Sequence, residues 1–428
     1  MRKLLAWLAF SVSLASAQDL VITNARIIDG IGGVIQRGSV VVRAGRIVSV
    51  NPGTALSKAA KTIDAKGMTV MPGFIEDHRH IIEAGTDPSQ WLKDQAVPRM
   101  QEFLNAGFTT VQSCGDPVEQ IVELKRRLNA GSIQGPRLFT AAFVQLAGQT
   151  GPPPAPGGRW IDPARTDTSR PPLRATTAAP AIPDEETRAS VRKLKEAGID
   201  DVKTVLIVTP GGPEKHTLSV VVDEAHKVGL PVITHAVTVE DTFAAVEAGV
   251  TMLAHTPHIG QLDEAGASKI AASKIPMMST LGVFVPTFAE QNARVRDRSG
   301  VDNLPRFRDL DPFPWNTLSS AGQGPVNARL LWNAGVTYGY GTDTTFLPKD
   351  SLAHELKPLR LVFSNQDIVR IMTRNAATVI GHEKEIGTLE PGKLADIVVL
   401  DGDPLVDIES VLKVKMVVKA GNVVVNHL

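Results

Sequence analysis

The chain has 428 residues, 43% of them apolar and 21% charged, and its 45 basic side chains balance 45 acidic ones. That balance excludes a basic nucleic-acid binder or a polycationic membrane ligand, and the length allows one large domain with a satellite or two domains. With Cys114 the only cysteine, no internal disulfide forms, and that side chain reads as a small buried apolar group.

Residues 1–17 read as a secretory signal peptide. Arg2 and Lys3 precede the apolar run Leu4–Leu14, and Ala15-Ser16-Ala17 offers small residues for cleavage before Gln18. A periplasmic or secreted protein is expected, without a membrane span or a lipid anchor, since no long apolar run follows the cleavage site and the residue directly after it is Gln18, not a cysteine.

From Asp19 to Ala65 the chain alternates β-branched and polar residues between Gly and Asn turns, as short antiparallel strands do. A matching stretch ends the chain, and both repeat a strand–Ala-Gly–strand hairpin, VVRAGRIVSV and VVKAGNVVVN. We expect a small composite β-sandwich domain from residues 18–68 and 384–428, with residues 69–383 inserted between them.

The inserted region repeats a helical run, then Ala-Gly or its like, then a short apolar strand: AGFTTVQS, AGIDDVKTVLIV, VGLPVITHA, AGVTMLAH, AGVTYGYGTD. Glycine closes each helix in a left-handed cap, and repeated units of this kind build a parallel sheet. With Thr69–Ile75, Arg137–Ala142 and Pro276–Val285 the count reaches eight strands, a (β/α)8 TIM barrel. Two irregular inserts, Gln149–Pro183 and Arg294–Pro325, leave strands three and seven on the side where barrel loops shape substrates.

The polar residues at the strand ends are the chemical signal. Strand one leads into Met71-Pro-Gly-Phe-Ile-Glu-Asp-His-Arg-His80, and in extended chain His78 and His80 project to one side, whereas a helix would part them by roughly 200°. Strand four carries Lys203 inside an apolar run, strand five ends in His235, strand six in His255, and strand eight in Asp343. Four imidazoles and a carboxylate at one rim are metal-ligand types. His258, three residues past His255, is a candidate substrate contact; His216, His226, His354, His382 and His427 read as solvated. Arg294, Arg296, Arg298, Arg306 and Arg308 read as a charged loop.

Taken together, the split β domain, P-G-x-I-E-x-H-x-H, V-K on strand four, T-H-A, A-H-T, G-T-D and the late Asn375-Ala-Ala-Thr and GTLEPGKLADIVV resemble the amidohydrolase superfamily over nearly all of the mature chain. The branch it looks like groups imidazolonepropionase-like proteins with secreted Xaa-Pro dipeptidases. Glu76 departs from the family's usual Asp, and a Gly-Gly-His segment after strand three is missing. The resemblance implies two divalent ions, His78, His80 and Asp343 on one and His235 and His255 on the other, bridged by carboxylated Lys203. Zinc suits that ligand set. The implied chemistry is attack by a hydroxide formed between the ions on a polarised carbonyl, with Asp343 carrying the proton to the leaving nitrogen. The expected enzyme is an exported amidohydrolase of dipeptides or N-acyl amino acids, a homo-oligomer acting on a small molecule. Lactones, phosphotriesters and bulky amides such as ochratoxin A are the alternative substrates, a metal-free scaffold is the alternative role, and export argues against imidazolonepropionase itself.

Overall fold

The computed structural model describes residues 19–53, 61–83, 86–148, 182–284, 323–344 and 346–428. Residues 1–17, read above as a signal peptide, and most of both inserts lie outside the described residues; of the second insert, residues 323–325 open the helix Gln323–Ala334 and are regular.

Two eight-stranded sheets organise the molecule. The first joins the chain's two ends: β1 (Leu20–Ile28), β2 (Val34–Arg43), β3 (Arg46–Pro52), β4 (Lys61–Asp64) and β5 (Thr69–Pro72) meet β14 (Ile397–Leu400), β15 (Val414–Lys419) and β16 (Asn422–Asn426). Its order is β16-β15-β14-β5-β1-β2-β3, with β4 alongside β1. The sheet folds over its own core, which includes Ile22, Val40, Val70, Ile397 and Met416. Backbone bonds from Ile47 N to Lys393 O (2.9 Å) and Ala395 N to Gly45 O (2.9 Å) bring the early hairpin against the late segment.

The second sheet is all parallel and runs β6 (Phe74–Arg79), β7 (Phe108–Cys114), β8 (Arg137–Phe143), β9 (Asp201–Val205), β10 (Val232–His235), β11 (Met252–Leu253), β12 (Met277–Met278) and β13 (Tyr338–Gly339), each beside its predecessor. Bonds from Asp77 N to Tyr340 O (2.7 Å) and Asp343 N to His78 O (2.8 Å) join the last strand to the first and close the barrel. Helices pack outside by apolar residues three and four apart, as Met100, Phe103 and Leu104 show on Ala96–Asn105. The glycines expected to cap these helices all have positive φ, from 70° at Gly229 to 99° at Gly335.

One strand differs from expectation. Thr69–Ile75 is not a single barrel strand: Thr69–Pro72 pairs with β1 and β14 in the terminal sheet, and the barrel begins at Phe74. The break falls at Gly73, where a Cβ would stand 2.3 Å from Thr109 Oγ1, so only glycine passes from one sheet into the other. Nearby, Arg137 of the barrel reaches Asp396 (2.7 Å), and Lys419 Nζ donates to Gly135 O (2.6 Å).

Candidate metal centre

The strand ends bring the predicted ligands to one rim. His78 lies in β6 and His80 one residue beyond it; Lys203 sits in β9, His235 ends β10, His255 follows β11 by two residues, and Asp343 follows β13. Lys203 is paired with Ile233 and projects into the barrel, its Nζ 3.3 Å from His78 Nε2. Asp343 Oδ1 lies 3.5 Å from His78 Nε2 and 3.2 Å from His80 Nε2. Ligand atoms of His78, His255 and Asp343 all fall within 4.8 Å of one another. The imidazoles form a row, with ring centroids 5.9 Å apart for His80 and His78, 4.8 Å for His78 and His255, and 4.4 Å for His255 and His235.

This donor set fits divalent metal. Ligands bound tetrahedrally at zinc distances stand roughly 3.3 Å apart, close to the spacings around Asp343 Oδ1. The tautomers suit it as well. His78 Nδ1 faces Ala254 O at 2.9 Å, an atom that only accepts, so Nδ1 carries the proton and Nε2 keeps its lone pair. His255 Nδ1 meets Thr280 Oγ1 at 2.9 Å, and that hydroxyl donates in turn to Ala254 O (3.4 Å). One carbonyl thereby anchors both rings.

The net direction of each shift favours metal binding, though the cause differs from group to group. His78 is driven well below its ordinary value by burial and then by Lys203; His255 is driven down by burial, then by His235 and His78. Burial also lowers Lys203, favouring the neutral amine. Burial alone would raise Asp343, but His78, His80 and His255 hold it well below the usual carboxylate range.

The residues between the ligands hold one another. Glu76 accepts from Thr342 N (2.8 Å) and Thr342 Oγ1 (3.1 Å), while Arg79 Nη1 donates to Thr342 Oγ1 (3.1 Å), Thr344 Oγ1 (2.8 Å) and Ser351 Oγ (2.5 Å). Arg79 also donates to Phe346 O. Glu76 and Arg79 bracket His78; Thr342 and Thr344 bracket Asp343. Asp343 itself has φ 49°, an unusual conformation that this clamp maintains. Burial pushes Glu76 up to about 7, against the pull of Arg79 and Thr342.

Several expectations were coarser than the molecule. His354 is not solvated: its Nε2 meets Gly282 O at 2.7 Å, and burial lowers it to about 4. His382 is half-buried and stacks on Phe139 with centroids 4.2 Å apart, so it is not simply solvated. His216, His226 and His427 are exposed, as expected. Cys114 is buried, with its thiol pushed up by burial. His258 is buried, its Cβ 3.2 Å from where a Cβ would stand at Gly324. The arginines from Arg294 to Arg308 lie outside the described residues. Thr280 and Glu355 were not singled out. Thr280 is the last polar residue of strand seven, so the rule that found the ligands would have found it had hydroxyls been counted.

A sequence profile of the Amidohydrolase family matches residues 69–424. The imidazolonepropionase of Geobacillus kaustophilus (strain HTA426) is 25% identical over 439 residues, covering 92% of this chain and 91% of that one. In fold, the chain is similar to a putative prolidase from Bifidobacterium longum (TM-score 0.72, 24% identity, 96% of this chain and 95% of that one). It is also similar to A. niger ochratoxinase (TM-score 0.71, 21% identity, 96% of each chain).

Proposed function

The chain belongs to the Amidohydrolase family and is a hydrolase acting on carbon–nitrogen bonds, and from that premise we propose an exported two-metal enzyme that releases amino acids from dipeptides or N-acyl amino acids. The observation that carries the reading is the convergence of His78, His80 and His255 on Asp343 at one barrel rim, with Lys203 beneath.

In this reading His78, His80 and Asp343 hold one ion and His235 and His255 the other. Lys203 would join the ligands as a carbamate, its neutral nitrogen adding to carbon dioxide and losing a proton, and burial favours the neutral amine. Zinc is the ion the donors suit. When bound, the ions supply Lewis acidity, lowering the pKa of water and polarising a carbonyl. Asp343 accepts the proton of the attacking water and returns it to the departing nitrogen, for which an anionic carboxylate at the site's edge is suited. His258 is the side chain we assign to substrate contact.

The test is amino-acid release by the mature protein from a panel of dipeptides, N-acyl amino acids and ochratoxin A, with and without zinc and bicarbonate. Metal-dependent release of particular residues is the expected result. Silence across the panel from protein holding two ions overturns the amide reading in favour of lactones or phosphotriesters. Export is tested by the mass of the protein recovered outside the cytoplasm, which should begin at Gln18.

A further inference from the structure

His255 presents Nε2 to the ligand cluster only while its Nδ1–H is held, and the atom that holds it is Thr280 Oγ1. Thr280 has φ 42°, a left-handed conformation that a β-branched residue rarely takes. Something outside the barrel must impose it.

That grip comes from the helix Pro348–Val362. Glu355 Oε1 accepts from Ser279 Oγ (2.7 Å) and Leu281 N (2.9 Å), one on each side of Thr280, and Oε2 accepts from Gly282 N (2.5 Å). The preceding residue, His354, bonds Gly282 O (2.7 Å). At Gly282 a Cβ would stand 2.8 Å from Glu355 Oε2 and 3.0 Å from His354 Cδ2, so the approach is as close as glycine permits. On the inner side, Ser279 N and Thr280 N bond Gly339 O (2.9 Å) and Gly341 O (3.0 Å). Glu355 is only 1% exposed; a buried carboxyl is costly unless donors meet it, and here three donors from one four-residue turn do so.

We propose that Glu355 is a positioning residue for the metal centre: by pinning Ser279, Leu281 and Gly282 it turns Thr280 inward, and Thr280 fixes the tautomer and orientation of His255. This inference rests on the metal reading above and deepens it. It makes the ion held by His255 the one sensitive to a helix that contributes no ligand, while the ion on His78, His80 and Asp343 depends on the Glu76–Arg79 clamp.

The test is zinc binding to the mature protein under competition with a chromophoric chelator, giving stoichiometry and the two affinities without recourse to turnover. Thr280→Val keeps the shape and the β-branch but removes the acceptor, and should weaken one of the two ions by about 10- to 100-fold while sparing the other. Thr280→Ser restores the hydroxyl and should return that affinity to within a few-fold of wild type. Glu355→Gln, whichever way the amide turns, sets its NH2 against a backbone donor, Gly282 N or Leu281 N, and should weaken the same ion. Should Thr280→Val fail to fold, as judged by melting of the chelator-treated protein, Glu355→Gln against Thr280→Ser carries the comparison. Wild-type affinities in both Thr280→Val and Glu355→Gln, or equal losses at both ions, overturn the proposal. A wild-type protein that binds no zinc overturns the reading of the site itself.

Discussion

The sheet built from the chain ends and the rim of the barrel are held by different physics. The sheet's core is apolar and redundant: Ile22, Val40, Val70, Ile397 and Met416 each contribute buried area, and none has a unique partner. The rim is polar and singular. His78 Nδ1 is oriented by Ala254 O, His255 Nδ1 by Thr280 Oγ1, and Asp343 is held in its left-handed turn through Thr342 and Thr344. Deleting a group from the sheet should therefore change stability in proportion to volume, whereas deleting one from the rim should change function out of proportion to its size.

The sharpest break of that contrast is Asp343→Asn, which keeps the shape and removes the charge: turnover should fall about 100- to 10,000-fold with melting temperature nearly unchanged. Arg79→Met should lose activity and stability together, because it strips donors from two threonines and leaves Glu76 buried without its counter-charge. Urea unfolding should register a loss of about 3–5 kcal/mol. Met416→Ala in the terminal sheet should cost about 2–5 kcal/mol in the same experiment while kcat per folded molecule stays at the wild-type value. If Met416→Ala also lowered kcat, the sheet could not be the passive half of the comparison.

The seam between the two regions gives a smaller, pH-dependent effect. Burial, with Arg137 beside it, lowers Lys419 to about 8. A lysine whose folded value lies below its unfolded one releases its proton more readily when folded, so the unfolded chain binds more protons between the two values. Stability should then rise with pH from about 8 to about 10.4, by at most about 1.4 kcal/mol per pH unit. Across that window the stability difference between wild type and Lys419→Met should move in favour of wild type as pH rises, the opposite slopes of the buried Cys114 and Tyr338 being common to both. The smallest effect belongs to the exposed pair Arg360–Glu409, where Arg360→Ala should change stability by less than about 1 kcal/mol.

The candidate ligands were picked out in the sequence because all but Lys203 stand at or just past the end of a barrel strand whose apolar run marks it locally, and Lys203 is the one charge inside such a run. His78, His80, His235, His255 and Asp343 each carry the strand-end mark without reference to the others. Their supports do not. Glu355 meets Leu281 across 74 positions and Arg79 meets Thr344 across 265, and nothing near Glu355 distinguishes it from any acidic residue on an amphipathic helix. The division of Thr69–Ile75 was hidden for a related reason: an apolar run reads alike in either sheet, and only the packing of Thr109 on Gly73 separates them.

That division bears on how the chain comes into being. β5 lies one residue ahead of the strand that carries His78, and its neighbour on one side is β14, paired Pro72 with Ile397. During vectorial synthesis every candidate ligand through Asp343 emerges while that edge of β5 is still bare. The edge is covered only once the polypeptide has been extended through Leu400, so the strand leading into the candidate metal site gains its last lateral support from a segment made long after it, Pro72 waiting for Ile397.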